Sequence, residues 1–159
     1  MRIAFYAPLK PPDHPVPSGD RQMARMLIAA LERAGHVVEV VSRLRAYLTD
    51  NTQPLLAKLQ DEAAGEIDRI SRQWRENGPP DLWVTYHPYY RAPDLLGPRL
   101  ASASSIGYVT IEASYAHKRD RTGWAEAQAL VVEALRSAAL NICFTARDRE
   151  GLMRLGEEI

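Results

Sequence analysis

Several side chains in this sequence could do chemistry: His14, His87, Tyr89, Tyr90, Tyr115 and His117. Imidazole moves protons near neutral pH, and phenols donate, accept and stack. Beside them stand one carboxylate, Glu112, and the cations Arg91, Lys118 and Arg119. A second kind of site is suggested by Ser18-Gly19, which precedes a helical stretch. A residue without Cβ lets the backbone approach a phosphate closely, and a helix N-terminus offers free N–H groups. Ser18 could add its own N–H and hydroxyl.

The elements that must position these groups alternate. A strand, Arg2 to Tyr6, runs into a proline-rich loop and then a helix over about 21–34, with Ser18 or Asp20 as cap and Gly35 as its exit. The nearly unbroken valines at 37–41 predict a sheet-interior strand. A long amphipathic helix is expected over about 54–76, with Pro54 in its first turn and Asn77-Gly78-Pro79-Pro80 ending it. Strands follow at 82–86, 105–111 and 141–144, with helices near 93–100, at about 124–138 (Thr122 as cap) and from 146. This βα repeat predicts an α/β fold, an open, mostly parallel three-layer α/β/α sheet of Rossmann-like type, as one domain over 1–159. Ligands of such sheets bind beyond the carboxyl ends of the strands. That rule selects the loop from Pro8 to Asp20, Ser42 to Arg45, Tyr86 to Arg91, Glu112 to Arg119, and Thr145, where most of the polar aromatics and histidines fall.

Bulk properties narrow the classes. A formal net charge of zero and a sequence pI near 6.9 argue against a nucleic-acid module. The single cysteine, Cys143, lies in an apolar run and reads as a buried small hydrophobe. No leader-like stretch and no apolar run of about 20 residues is visible, so a cytoplasmic protein is expected. Scattered histidines without cysteine partners give no metal site. No G-x-G-x-x-G follows the first strand, and neither a P-loop nor a G-x-S-x-G elbow occurs.

The order of M-R-I-A-F-Y-A-P, V-P-S-G-D, A-G-H-V-V-E-V-V, P-D-L-W-V-T-Y-H-P, Y-V-T-I-E-A-S and A-A-L-N-I-C-F-T-A-R-D resembles the N-terminal half of retaining, group 1 GT-B glycosyltransferases. The resemblance implies the acceptor-side lobe of an enzyme that moves a sugar from a nucleotide-diphospho-sugar donor to an unknown hydroxyl acceptor. It implies no separate cofactor, no nucleic-acid partner, and membrane contact only through other regions. It places Ser18 and Gly19 at the donor diphosphate, and Glu112 and His87 at the reacting groups. Tyr86, Arg91, Lys118 and Thr145 fall on the acceptor side. Tyr86 and His87 straddle one family position, so which of them faces the cleft is open. The donor-binding C-terminal domain, with its paired glutamates, is expected to be absent from this chain, leaving it inactive alone. The alternative is a non-catalytic, flavodoxin-like ligand- or partner-binding module.

Overall fold

The structure, a computed structural model, describes residues 1–157. Its strands are β1 (Arg2–Tyr6), β2 (Val37–Val40), β3 (Leu82–Tyr86), β4 (Gly107–Ile111) and β5 (Leu140–Ile142). Its helices are α1 (Gly19–Arg33), α2 (Gln53–Asn77), α3 (Gly97–Ser104), α4 (Ala125–Ser137) and α5 (Ala146–Glu157). The strands form one sheet in the order β2-β1-β3-β4-β5, and every pairing is parallel. This is the doubly wound order of flavodoxin-like sheets, and it reverses direction between β1 and β3.

Alternation along β1 builds the layers. Ile3 and Phe5 pack with Val84 and Ile111 against Ala24, Leu27 and Ile28 of α1. Ala4 and Tyr6 face the other way, toward Trp83 and the apolar stripes of α2, α3 and α4. Trp83 is fully buried, edge-on to both Tyr6 and Trp74 at 6.1 Å between ring centroids. Burying each such side chain contributes about 1.5–3 kcal/mol. The three-layer α/β/α Rossmann-like architecture expected from the sequence is therefore present.

Three local expectations need correction. The valine run at 37–40 is an edge strand, with Val37 67% exposed, because among the described residues β1 is its only partner. Its alternation of exposed Val37 and Glu39 with half-buried Val38 and Val40 fits a strand covered on one face. Cys143 is only half-buried, since it follows the opposite edge strand, β5. The helix expected near 93–100 begins at Gly97 instead. The Asp94 carboxylate takes the N–H groups of Leu96 (2.9 Å) and Gly97 (2.8 Å), holding the residues before the helix in a turn.

Asp94 is 3% exposed. Its second oxygen accepts from the hydroxyls of Thr85 and of Tyr108 (2.9 Å), and Thr85 accepts from the Trp83 indole at 2.7 Å. Burial pushes the Asp94 carboxyl upward, and these donors oppose that shift. The network locks the β3–α3 connection, whose opposite end carries the site.

Candidate functional site

The sheet edge at the carboxyl ends of β1 and β3 lies where the chain reverses its winding. From β1 it leads through α1 to β2 on one side; from β3 it proceeds to β4 and β5 on the other. Three side chains converge there: Asp20 from the first turn of α1, His87 directly after β3, and Glu112 directly after β4.

His87 and Glu112 share an uncommon backbone state. Their φ values are +56° and +58°, in the left-handed region that disfavours residues with a Cβ. Such conformations cost of order 1–3 kcal/mol and persist where flanking structure over-determines them. Here the His87 N–H bonds the Ile111 carbonyl at 2.8 Å, and the Ala113 N–H bonds the Ile142 carbonyl at 3.0 Å. The left-handed turn also sets which way Tyr86 and His87 point. Continued strand geometry would send the two to opposite faces. Instead Tyr86 packs with the α1-side core at 3% exposure, and His87 turns to the same side to meet Asp20.

His87 Nδ1 lies 2.9 Å from Asp20 Oδ1 and 4.0 Å from Glu112 Oε2. The side chains of His87, Asp20 and Glu112 are 23%, 33% and 33% exposed, so all three remain in reach of a ligand. The Tyr86 hydroxyl faces Glu112; burial first, and then that carboxylate, push its phenol well above the usual range and keep it a neutral donor. Tyr89 stacks on the His87 ring at 5.1 Å and 24°. Burial is the main cause that pushes the Tyr89 phenol up to about 12. An Nδ1–H donated to Asp20 leaves Nε2 as the ring nitrogen open to a ligand.

Ser18 is the N-cap of α1, its hydroxyl accepting from the Arg21 N–H at 3.2 Å. Gly19 opens the helix with ordinary φ, is exposed, and has no atom within 4 Å of where a Cβ would stand. Nothing in the fold itself requires glycine there. The remaining sequence candidates divide. Arg91 lies near the site, over the rings of Tyr90 and Trp124. Lys118 is exposed on a 3₁₀ turn, His117–Arg119, and no contact joins it to the His87 cluster. Thr145 is exposed at the start of α5, where it bonds Asp148 through both its hydroxyl and the Asp148 N–H (3.1 Å). That is a capping arrangement.

Asp20 is the residue the sequence reading did not place in the site. Its signal was an acid in the first turn of a helix, which reads equally well as a cap. Tyr47 and Trp124 were missed too, because their roles depend on loops meeting across the sheet edge. Tyr115, His117 and Asp120 form a separate cluster, with the Tyr115 hydroxyl bonded to Asp120 and His117 Nδ1 at 3.3 Å from the same carboxylate. Among the described residues no group of three or more His, Cys, Asp or Glu side chains could hold a metal ion, and no helix is long and apolar enough to cross a membrane.

No family model and no curated protein sequence matches the chain. Its structure is similar to that of the UDP-GlcNAc 2-epimerase from Methanocaldococcus jannaschii, with a TM-score of 0.61 at 13% identity. The match covers 98% of this chain and 43% of that enzyme, so the chain spans less than half of its length. At this identity the likeness is one of fold: both contain the open, Rossmann-like α/β unit.

Proposed function

We propose that this chain is the acceptor-side lobe of an enzyme that transfers a sugar from a nucleotide-diphospho-sugar to a hydroxyl group. The observation that carries the reading is the Asp20–His87–Glu112 cluster at the switch-point crevice, beside an open Gly19. The sequence resemblance points the same way, and the structural neighbour is named for its action on a UDP-sugar. A second lobe would grip the donor.

In this mechanism the amides around Gly19 and the α1 N-terminus take up charge on the departing diphosphate. His87 Nε2 receives the proton of the attacking hydroxyl, and Glu112 stabilises positive charge developing on the sugar. The family resemblance implies retention of configuration. The Asp20–His87 pair favours a second stereochemical reading, since a base at the acceptor hydroxyl suits direct displacement with inversion; the anomer of the product, read by NMR, separates the two. The strand order is also that of flavodoxin-like binding modules, and a purified protein that is yellow would favour such a module.

The test is transfer by the protein carrying both lobes. His87→Ala should slow it by about 10²–10⁴-fold, with only a small fall in Tm from the lost Asp20 contact and Tyr89 stacking. The isolated chain should bind nucleotide sugar weakly and turn none over. Undiminished transfer by His87→Ala, or turnover by the isolated chain, would contradict the proposal.

A further inference from the structure

Resting on the acceptor-side reading above, we infer that the rim beside His87 recognises a phosphomonoester on the second substrate, through guanidinium groups seated on an aromatic ladder. The ladder begins at His87. Tyr89 stacks on it, Tyr90 stands edge-on to Tyr89 at 5.4 Å, and Trp124 stands edge-on to Tyr90 at 5.1 Å. The Arg91 guanidinium lies 4.9 Å from the Trp124 centroid and 5.9 Å from that of Tyr90. Arg119 lies 4.4 Å from Tyr90 on its own account. A third guanidinium, Arg45, lies 4.8 Å from the Tyr47 ring. Its loop is pinned to the site, because the Leu48 N–H bonds the Arg91 carbonyl at 2.7 Å and Arg45 Nε bonds the Leu9 carbonyl at 3.1 Å.

Among the described residues none of these three arginines forms an ion pair with a carboxylate. Among the described residues the ion-paired arginines are Arg43 with Asp13 and Arg69 with Glu66. Arg91 faces the Tyr90 and Trp124 rings instead, and among the described residues Arg119 Nε is buried with no hydrogen-bond partner. A guanidinium resting on a ring keeps the N–H groups of its edge in a fixed fork, which matches phosphate oxygens. Asp20 and Glu112 lie at the His87 end of the ladder, whereas Arg91 and Arg119 sit over Tyr90 and Trp124 at its other end, with Arg45 on the Tyr47 ring, and they set a local positive field there. A neutral sugar would not offset that field, whereas a phosphomonoester brings close to two negative charges and three acceptor oxygens.

Trp124 supplies the readout, because it is half-buried in the ladder while Trp74 and Trp83 lie in the core. The purified protein is titrated with glucose 6-phosphate, with glucose, and with phosphatidylcholine vesicles with or without phosphatidic acid, following tryptophan emission and heat. A phosphate-bearing probe should change the emission saturably, and glucose should not. Response to glucose 6-phosphate assigns a free sugar phosphate; response to phosphatidic acid alone assigns a lipid carrier of the same group. Arg119→Gln and Arg91→Lys should each weaken binding by about tenfold, and Trp124→Phe should erase the emission change while the heat persists. Equal binding of phosphorylated and neutral probes, or indifference to both arginine variants, overturns the inference. Gly19→Val separates it from the donor reading: nucleotide-sugar binding should fall while phosphate binding on the ladder stays. If no nucleotide sugar binds at all but the ladder responds, the transfer reading fails and the phosphate site stands.

Discussion

Two carboxylates on this sheet make opposite use of the same chemistry. Asp94 and Asp20 both serve the connection that leaves β3, one at its far end and one against His87 at its start. Asp94 is buried, and its two oxygens accept four hydrogen bonds, two from backbone N–H groups and two from hydroxyls. It has no capacity left for a ligand, so it is structural. Asp20 is a third exposed and spends one oxygen on a ring nitrogen that has a second nitrogen to offer. What separates scaffold from site here is the degree to which each carboxylate is already satisfied, more than residue type or distance from the strand end.

The largest effect that could break this contrast is on stability. Asp94→Ala strips partners from two backbone amides and two hydroxyls, and should cost about 3–4 kcal/mol in denaturant unfolding. Asp94→Asn keeps the backbone bonds and should cost markedly less. Asp20→Asn should stay within about 0.5 kcal/mol of the parent while slowing transfer. Comparable losses at positions 20 and 94 would erase the distinction.

The two glycines beside these carboxylates sharpen it next. A Cβ at Gly97 would stand 2.3 Å from Asp94 Oδ2, 2.5 Å from the Trp83 indole nitrogen and 2.8 Å from Tyr108. Gly97→Ala should therefore lose about 2–3 kcal/mol. Gly19→Val meets open space and should leave Tm unchanged, yet it should weaken nucleotide-sugar binding by blocking close approach.

A smaller effect comes from the strained rim. His87→Gly relieves a left-handed φ and should stabilise the fold by up to about 1 kcal/mol, less the lost Asp20 contact, while transfer falls with the imidazole. Stability that drops sharply would show that His87 serves the fold. The smallest effect is at alkaline pH. The Tyr89 phenol is raised from 10.0 to about 12, so its contribution is complete below pH 10 and is lost as pH climbs from 10 toward 12. Tyr89→Phe should flatten that part of the alkaline fall in Tm.

The sequence made the sheet readable where apolar runs are continuous and covered. β1 and β3 emerged with their observed bounds, and Pro54 and Gly78 marked both ends of α2. The edges were not readable, because the valines of β2 look the same whether one neighbour strand is present or two. His87 and Glu112 stood out as chemical groups, and Glu112 drew its role only from the resemblance. Neither residue type announces a left-handed backbone, so the turn that brings both beside Asp20 was hidden. Trp124 opens the helix that the sequence predicts from 124, and in the folded chain its ring meets Tyr90 and Arg91. Such contacts depend on strand order, which no local pattern encodes.

The most direct test of the central claim is a backbone amide NMR map of the protein titrated with UDP-glucose. The largest shifts should fall on residues 18–21, with a second group at His87 and Glu112, and Gly19→Val should suppress them. Shifts confined to other parts of the molecule, or none at saturating nucleotide sugar, would contradict a site at this crevice.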